Sequence, residues 1–174
     1  MTGKYFTPFP ILKTERLTLR QLSTDDDKEI LSLRSNKKIN KYLGRKPATS
    51  IDDARIFIQT INENIERDDS VYWAITLSDI DTLIGTVCLF DFSQDRSRAE
   101  IGFELLPPYQ GKGIMQEATS RVIHFAFLHL KLTSIEAYTH TENESSKRLL
   151  ERLKFKTDRT ADEKFLIFKL TAQN

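Results

Sequence analysis

At 174 residues the chain has the length of one globular domain, and 39% hydrophobic with 29% charged residues excludes a disordered or fibrous protein. With 26 Lys and Arg interleaved among 25 Asp and Glu, the net charge of +1 argues against direct nucleic-acid binding. The single cysteine, Cys88, and three histidines without metal-ligand spacing point to a reduced, metal-free, cytoplasmic protein. The N-terminus lacks a signal-peptide core, and no run of about 18 apolar residues offers a membrane span.

In chain order, Leu17, Leu19 and Leu22 alternate with polar neighbours over 15–22 and predict a half-buried strand. Residues 23–36 predict a helix capped by Ser23 or Thr24, its first turn rich in Asp beside the positive end of the dipole. A second helix over 50–69 starts at Ser50 and carries Ala54, Phe57, Ile58, Ile61 and Ile65 on one stripe. Strands over 70–78 and 83–93, joined by a turn around 79–82, and a third over 98–107 read as an antiparallel meander. A long helix follows over 113–130, then a strand over 133–141, a short amphipathic helix over 144–153 and a closing strand over 164–170. The order β-α-α-β-β-β-α-β-α-β indicates an α+β domain with a mixed sheet.

Between the third strand and the long helix stand Pro107 and Pro108, which end a strand, and two of the six glycines, Gly111 and Gly113. Glycines there let the backbone turn tightly beside the unpartnered N–H groups of a helix start, a natural anion site; the plainer reading is a flexible turn. The spacing is not that of a Walker loop, because Gly113 follows Lys112 where Ser or Thr is required. Nor is it a dinucleotide loop, since Gln116 occupies the third glycine position.

The run Gln110-Gly111-Lys112-Gly113-Ile114-Met115 resembles the Gln/Arg-x-x-Gly-x-Gly/Ala signature of the GNAT acetyltransferases, whose loop holds the pyrophosphate of coenzyme A, with Met115 departing at the sixth position. "TERLTLRQL", "AEIGFELLPPYQGKGIMQEA" and "NESSKRLLERLKF" extend the resemblance over nearly the whole chain, toward the ribosomal-protein N-terminal, RimJ/RimL-like branch. That resemblance implies one domain over 1–174, with a mixed, mostly antiparallel sheet flanked by helices, whose strands at 99–106 and 133–140 splay apart around the pantetheine arm. It implies acetyl-CoA as cosubstrate and direct transfer to a primary amine. A protein N-terminal α-amine, as on a ribosomal protein, is favoured over a polyamine, amino acid or aminoglycoside. A non-catalytic acyl-CoA-binding module is the alternative, and either would be a monomer or homodimer.

Carried onto this chain, the family pattern assigns Phe103, Leu105 and Leu106 to the pantetheine arm, with a backbone N–H at Leu105 or Leu106 for the thioester oxygen. It assigns Gln110, Gly111, Lys112, Gly113, Ile114 and Met115 to the pyrophosphate. Asn143 would bond the pantetheine amide, although asparagine suits a helix cap equally well. Leu150 stands where many relatives carry an acid tyrosine and Lys154 where many carry glycine, so Ser146 is left to donate to the departing sulfur. Glu100 aligns with a base position; Glu104, four residues on, shares its face if the strand is regular, whereas a bulge would separate them. For both, the plain reading is an exposed strand glutamate. Arg34, Asn36, Tyr42 and Asp91 are acceptor-side candidates. His124 and His129 read as packed or surface residues, Cys88 as an inert thiol, and Tyr72, Trp73 and Phe90 as core residues, one of which could wall the acceptor site.

Overall fold

The computed structural model describes residues 3–173. Alternation of apolar and polar residues sets the strands: β1 (Leu12–Lys13), β2 (Leu17–Gln21), β3 (Val71–Leu77), β4 (Ile80–Phe90), β5 (Arg98–Leu105), β6 (Ser134–His140), β7 (Lys156–Thr160) and β8 (Phe165–Thr171). They form one sheet in the order β1-β2-β3-β4-β5-β6-β8-β7, antiparallel throughout except for the parallel pair β5–β6. This is the α+β class and mixed sheet expected. The helices are α1 (Asp27–Ser35), α2 (Lys37–Asn40), α3 (Ile51–Glu66), α4 (Ile114–Leu128) and α5 (Glu144–Arg152). Among the described residues no helix is long and apolar enough to cross a membrane.

Several boundaries move for local reasons. Ser23 does cap, but its side chain and that of Asp26 close a reciprocal box on a short 3-10 turn, Thr24–Asp26, and α1 begins only afterwards. Asn36 then ends α1 and caps the separate α2, accepting from the N–H groups of Lys38 and Ile39. β4 starts at Ile80, inside the segment expected to turn. β7 was not foreseen; every one of its residues is exposed, so it has no apolar alternation to read.

The two faces of the sheet are covered differently. Trp73 is fully buried against Phe125 of α4, edge to face with centroids 5.7 Å apart, and its indole N–H donates to the Pro10 carbonyl. On the opposite face Tyr72 meets Phe57 of α3 edge to face at 5.8 Å. Both aromatics are core residues, as expected.

The end of α5 holds a replaceable strain. Lys154 lies in the left-handed region at φ 70°, its N–H donating to the Glu151 carbonyl while the Phe155 N–H returns to Leu150, the pairing of a Schellman cap. A side chain with a Cβ costs roughly 1–2 kcal/mol in that conformation. Lys154→Gly is therefore expected to stabilise the protein by about 1 kcal/mol. A thermal melt should rise by roughly 2–4 °C; a lower midpoint would contradict the cap.

Candidate active site

The order of the sheet creates a gap at its centre. β5 and β6 pair only at Arg98↔Ser134, Ala99↔Ile135 and Glu100↔Glu136, although β5 runs on to Leu105 and β6 to His140. Past Glu100 the two strands part, as the expected splay requires. Hydrogen bonds at the ends of β5 tell which backbone groups face the gap. The Leu106 N–H donates to the Ile84 carbonyl at 2.9 Å, and the Arg98 carbonyl accepts from Ser93, both toward β4; the Ser97 carbonyl accepts from Thr133 at 2.7 Å, toward β6. Since backbone direction alternates along a strand, the N–H groups of Phe103 and Leu105 point into the gap. Leu106 is a correction: its amide is already engaged and offers nothing to a thioester oxygen.

At the open end of β5 the chain passes through a 3-10 turn, Pro107–Tyr109, into the glycine loop. Both Gly111 and Gly113 take left-handed φ values, 75° and 74°, and Gly113 is the N-cap of α4 without any side-chain cap bond. That conformation is why glycine is needed twice. It leaves the first amides of α4 unpartnered at the positive end of a 15-residue helix. Gln110 is exposed but folds back on the chain, its side-chain amide donating to the Leu105 carbonyl at 2.8 Å, so it braces the loop. The Ile114 and Met115 side chains are buried, which leaves only their backbone to the glycine loop.

A residue that sequence reading missed holds this loop in place. The Arg16 guanidinium donates to the Lys112 carbonyl at 3.1 Å and pairs with Glu117 of α4 at 2.7 Å, while Glu117 also accepts from the Thr14 hydroxyl and the Arg16 amide. Burial is the largest single influence on the Glu117 carboxyl and pushes it up, but the bonds from Thr14 and Arg16 together outweigh it and keep the carboxyl below its usual range. The segment "TER" thus ties the β1–β2 turn to the glycine loop. An arginine and a glutamate 101 residues apart carry no local pattern that would reveal the pairing.

Where the gap opens, the register from Phe90↔Glu100 to Gly85↔Leu105 is unbroken, so no bulge intervenes and Glu100, Gly102 and Glu104 share one face. Glu100 is half-buried, and burial, reinforced by the charges of Asp91 and Glu136 and opposed by Arg98, pushes its carboxyl up to about 7. Glu136, almost wholly buried on β6, is held between Arg98 and Arg159, each at 3.3 Å. Arg98 also approaches Asp91 at 3.8 Å. Burial raises the Glu104 carboxyl as well, against the pull of Arg45, with which it forms an ion pair. Neither glutamate is the exposed strand residue of the plain reading.

The segment after α2 reaches both sides of the gap. Arg45 meets Glu104 of β5, and Tyr42 packs on His140 of β6 with centroids 5.0 Å apart. Of the acceptor-side candidates, Asp91 lies beside Glu100, Arg34 lies near Glu104 and Tyr42 against His140 toward the open end, and Asn36 is occupied in capping α2. On the far side of β6, the Asn143 side-chain oxygen accepts from the Ser146 N–H at 3.2 Å and caps α5, which leaves its amide N–H₂ to donate elsewhere. Leu150 is fully buried, so the tyrosine position is core. The Cys88 thiol is pushed up to about 12 by burial and the nearby Glu104 charge, which makes it a poor nucleophile.

Residues 16–156 match the acetyltransferase (GNAT) domain family. The uncharacterized N-acetyltransferase YoaA of Bacillus subtilis (strain 168) is 36% identical over 150 residues, covering 86% of this chain and 85% of that protein. In fold, the chain is similar to a ribosomal-protein-S5-alanine acetyltransferase from Vibrio fischeri, with a TM-score of 0.78, 20% identity and coverage of 93% and 96%. It is likewise similar to a ribosomal L7/L12 α-N-protein acetyltransferase in complex with coenzyme A, with a TM-score of 0.81, 18% identity and coverage of 93% and 98%.

Proposed function

The chain belongs to the GNAT acetyltransferase family, and from that premise we propose that it moves the acetyl group of acetyl-CoA directly onto the α-amine of a protein N-terminus, with ribosomal proteins as the favoured acceptors. The observation that carries the chemistry is Glu100: a carboxylate whose pKa near 7 suits proton removal at neutral pH, at the point where β5 and β6 part. The protein acceptor is favoured by the names of fold neighbours, which include ribosomal-protein acetyltransferases.

In this reading the glycine loop and the first amides of α4 hold the pyrophosphate, and the N–H groups of Phe103 and Leu105 take the charge that develops on the thioester oxygen. The bound thioester supplies an activated acyl carbon. The amine attacks it, forming the C–N bond; its proton passes to Glu100, directly or through one water; the C–S bond breaks, and the sulfur leaves as thiolate. Ser146 and the Asn143 amide supply hydrogen bonds on the β6 side. A thiol with pKa of about 8.5 needs no dedicated acid, which accommodates Leu150. The lone, unreactive Cys88 fits a reducing cytoplasm, where the protein would act as a monomer or homodimer.

Release of free thiol from acetyl-CoA, measured across ribosomal N-terminal peptides, their N-acetylated forms and small amines, tests this. Release with free peptides, with mass spectrometry locating the acetyl group on the α-nitrogen, is expected. Release with small amines alone would overturn the acceptor, and release with none would leave an acyl-CoA-binding module.

A further inference from the structure

Two arginines lie near one carboxylate at the open end of the gap, and only one of them touches it. Arg45 is fully committed: its Nε donates to Asn40 at 2.8 Å, a terminal nitrogen pairs with Glu104, and the other lies 3.5 Å from the Leu33 carbonyl. Arg34, in the last turn of α1, is not. Its guanidinium stacks 3.8 Å above the Phe57 ring, yet it forms no side-chain hydrogen bond or ion pair with another described residue. Half-buried, it also feels the repulsion of Arg45, with only Glu104 to share. Two fixed guanidinium charges thus face one carboxylate, and the excess belongs to Arg34. A desolvated cation without a counter-ion is costly, and an incoming carboxylate offsets that cost through charge-assisted, bidentate bonds that a guanidinium is shaped to give.

Arg34 stands over the sheet face that also carries Glu100. Glu104, which it shares with Arg45, lies four residues along β5 from Glu100, roughly 13 Å in a regular strand. A hydrogen bond at either end, about 2.8 Å each, covers part of that span, leaving about 7 Å, or two residues of extended chain, for the acceptor. A free amino acid, whose amine and carboxylate lie on one residue, falls short.

Resting on the acetyl-transfer reading above, we propose that Arg34 recognises a carboxylate on the acceptor, set about two residues from the reacting amine: an acidic side chain at the second position of a protein N-terminus, or the terminal carboxylate of a short peptide.

Binding of non-reactive product mimics tests this without turnover. With coenzyme A present, calorimetry would compare N-acetylated pentapeptides carrying Glu or Gln at the second position, and N-acetylated dipeptides with a free or amidated C-terminus. The expected result is tighter binding of a carboxylate form by about tenfold or more in at least one pair, the responding pair identifying its source. Arg34→Met should bring that ratio near one; Arg34→Lys, a point charge, should keep part of it; coenzyme A affinity of each variant reports its fold. Equal binding within both pairs, or a preference that survives Arg34→Met, would overturn the proposal. Failure of the catalytic reading would show separately, as carboxylate-dependent binding without thiol release from the corresponding free-amine peptides.

Discussion

Gly113→Asp is expected to abolish measurable coenzyme A binding in a chain that still folds. Gly113 has φ 74° and ends the loop as the N-cap of α4. A Cβ there meets only the Arg16 guanidinium at 3.6 Å, an ordinary contact, and aspartate is among the few residues that enter the left-handed region at modest cost. The fold is therefore not at risk. The new carboxylate, however, would bond the open helix amides itself, as aspartate does at an N-cap, and would repel the pyrophosphate. Hydrogen bonds to charged groups contribute about 1.5–3 kcal/mol each, so losing even two implies at least a hundredfold weaker binding, roughly. Calorimetry reads this directly. Unchanged affinity would move the phosphate site elsewhere on the chain.

Glu100→Gln is expected to lower turnover by roughly 10²-fold or more near neutral pH, with coenzyme A affinity nearly intact, because a base acts on the amine and not on the nucleotide. A second readout needs no substrate. The carboxyl is raised to about 7 in the folded chain, so the fold holds this proton more tightly than the unfolded chain does. Stability contributed by Glu100 is then highest at low pH and falls as pH rises from the unfolded carboxylate range through 7. The glutamine variant lacks that penalty and should melt higher than the parent above pH 7. A variant that loses activity and also melts lower at that pH would make Glu100 a structural residue.

What the sequence made legible follows the range of the interactions concerned. Gly111 and Gly113 could be read because a left-handed turn demands glycine locally, and α3 because its apolar stripe repeats along one helix. Trp73 and Leu150 were legible as core, one from its strand and the other from the amphipathic pattern of α5. The loop's support was not legible, since Arg16 reaches Lys112 and Glu117 only after the sheet is assembled. Glu100 and Glu104 illustrate both cases. Their shared face follows from an even spacing, but their different fates do not: Glu100 is left among Asp91, Glu136 and Arg98, whereas Glu104 receives Arg45 from a loop 59 positions earlier in the chain. Glu136 could have been suspected, since a charge flanked by Ile135 and Ala137 is unusual in a strand buried on both faces; its arginines, from β5 and β7, could not. Leu106 was misassigned because the direction of an amide depends on register with β4, which the residues themselves do not encode.

The most direct test of proton removal by Glu100 is the pH profile of kcat/KM with an N-terminal peptide acceptor, in the parent chain and in Glu100→Gln. For the parent, log kcat/KM should climb with a slope of about two below pH 7, where Glu100 and the α-amine must both lose a proton, and about one between 7 and the amine's pKa near 8. For the variant the slope should be about one throughout, from the amine alone. A slope of about two that persists in Glu100→Gln would contradict the assignment and put the base on another residue.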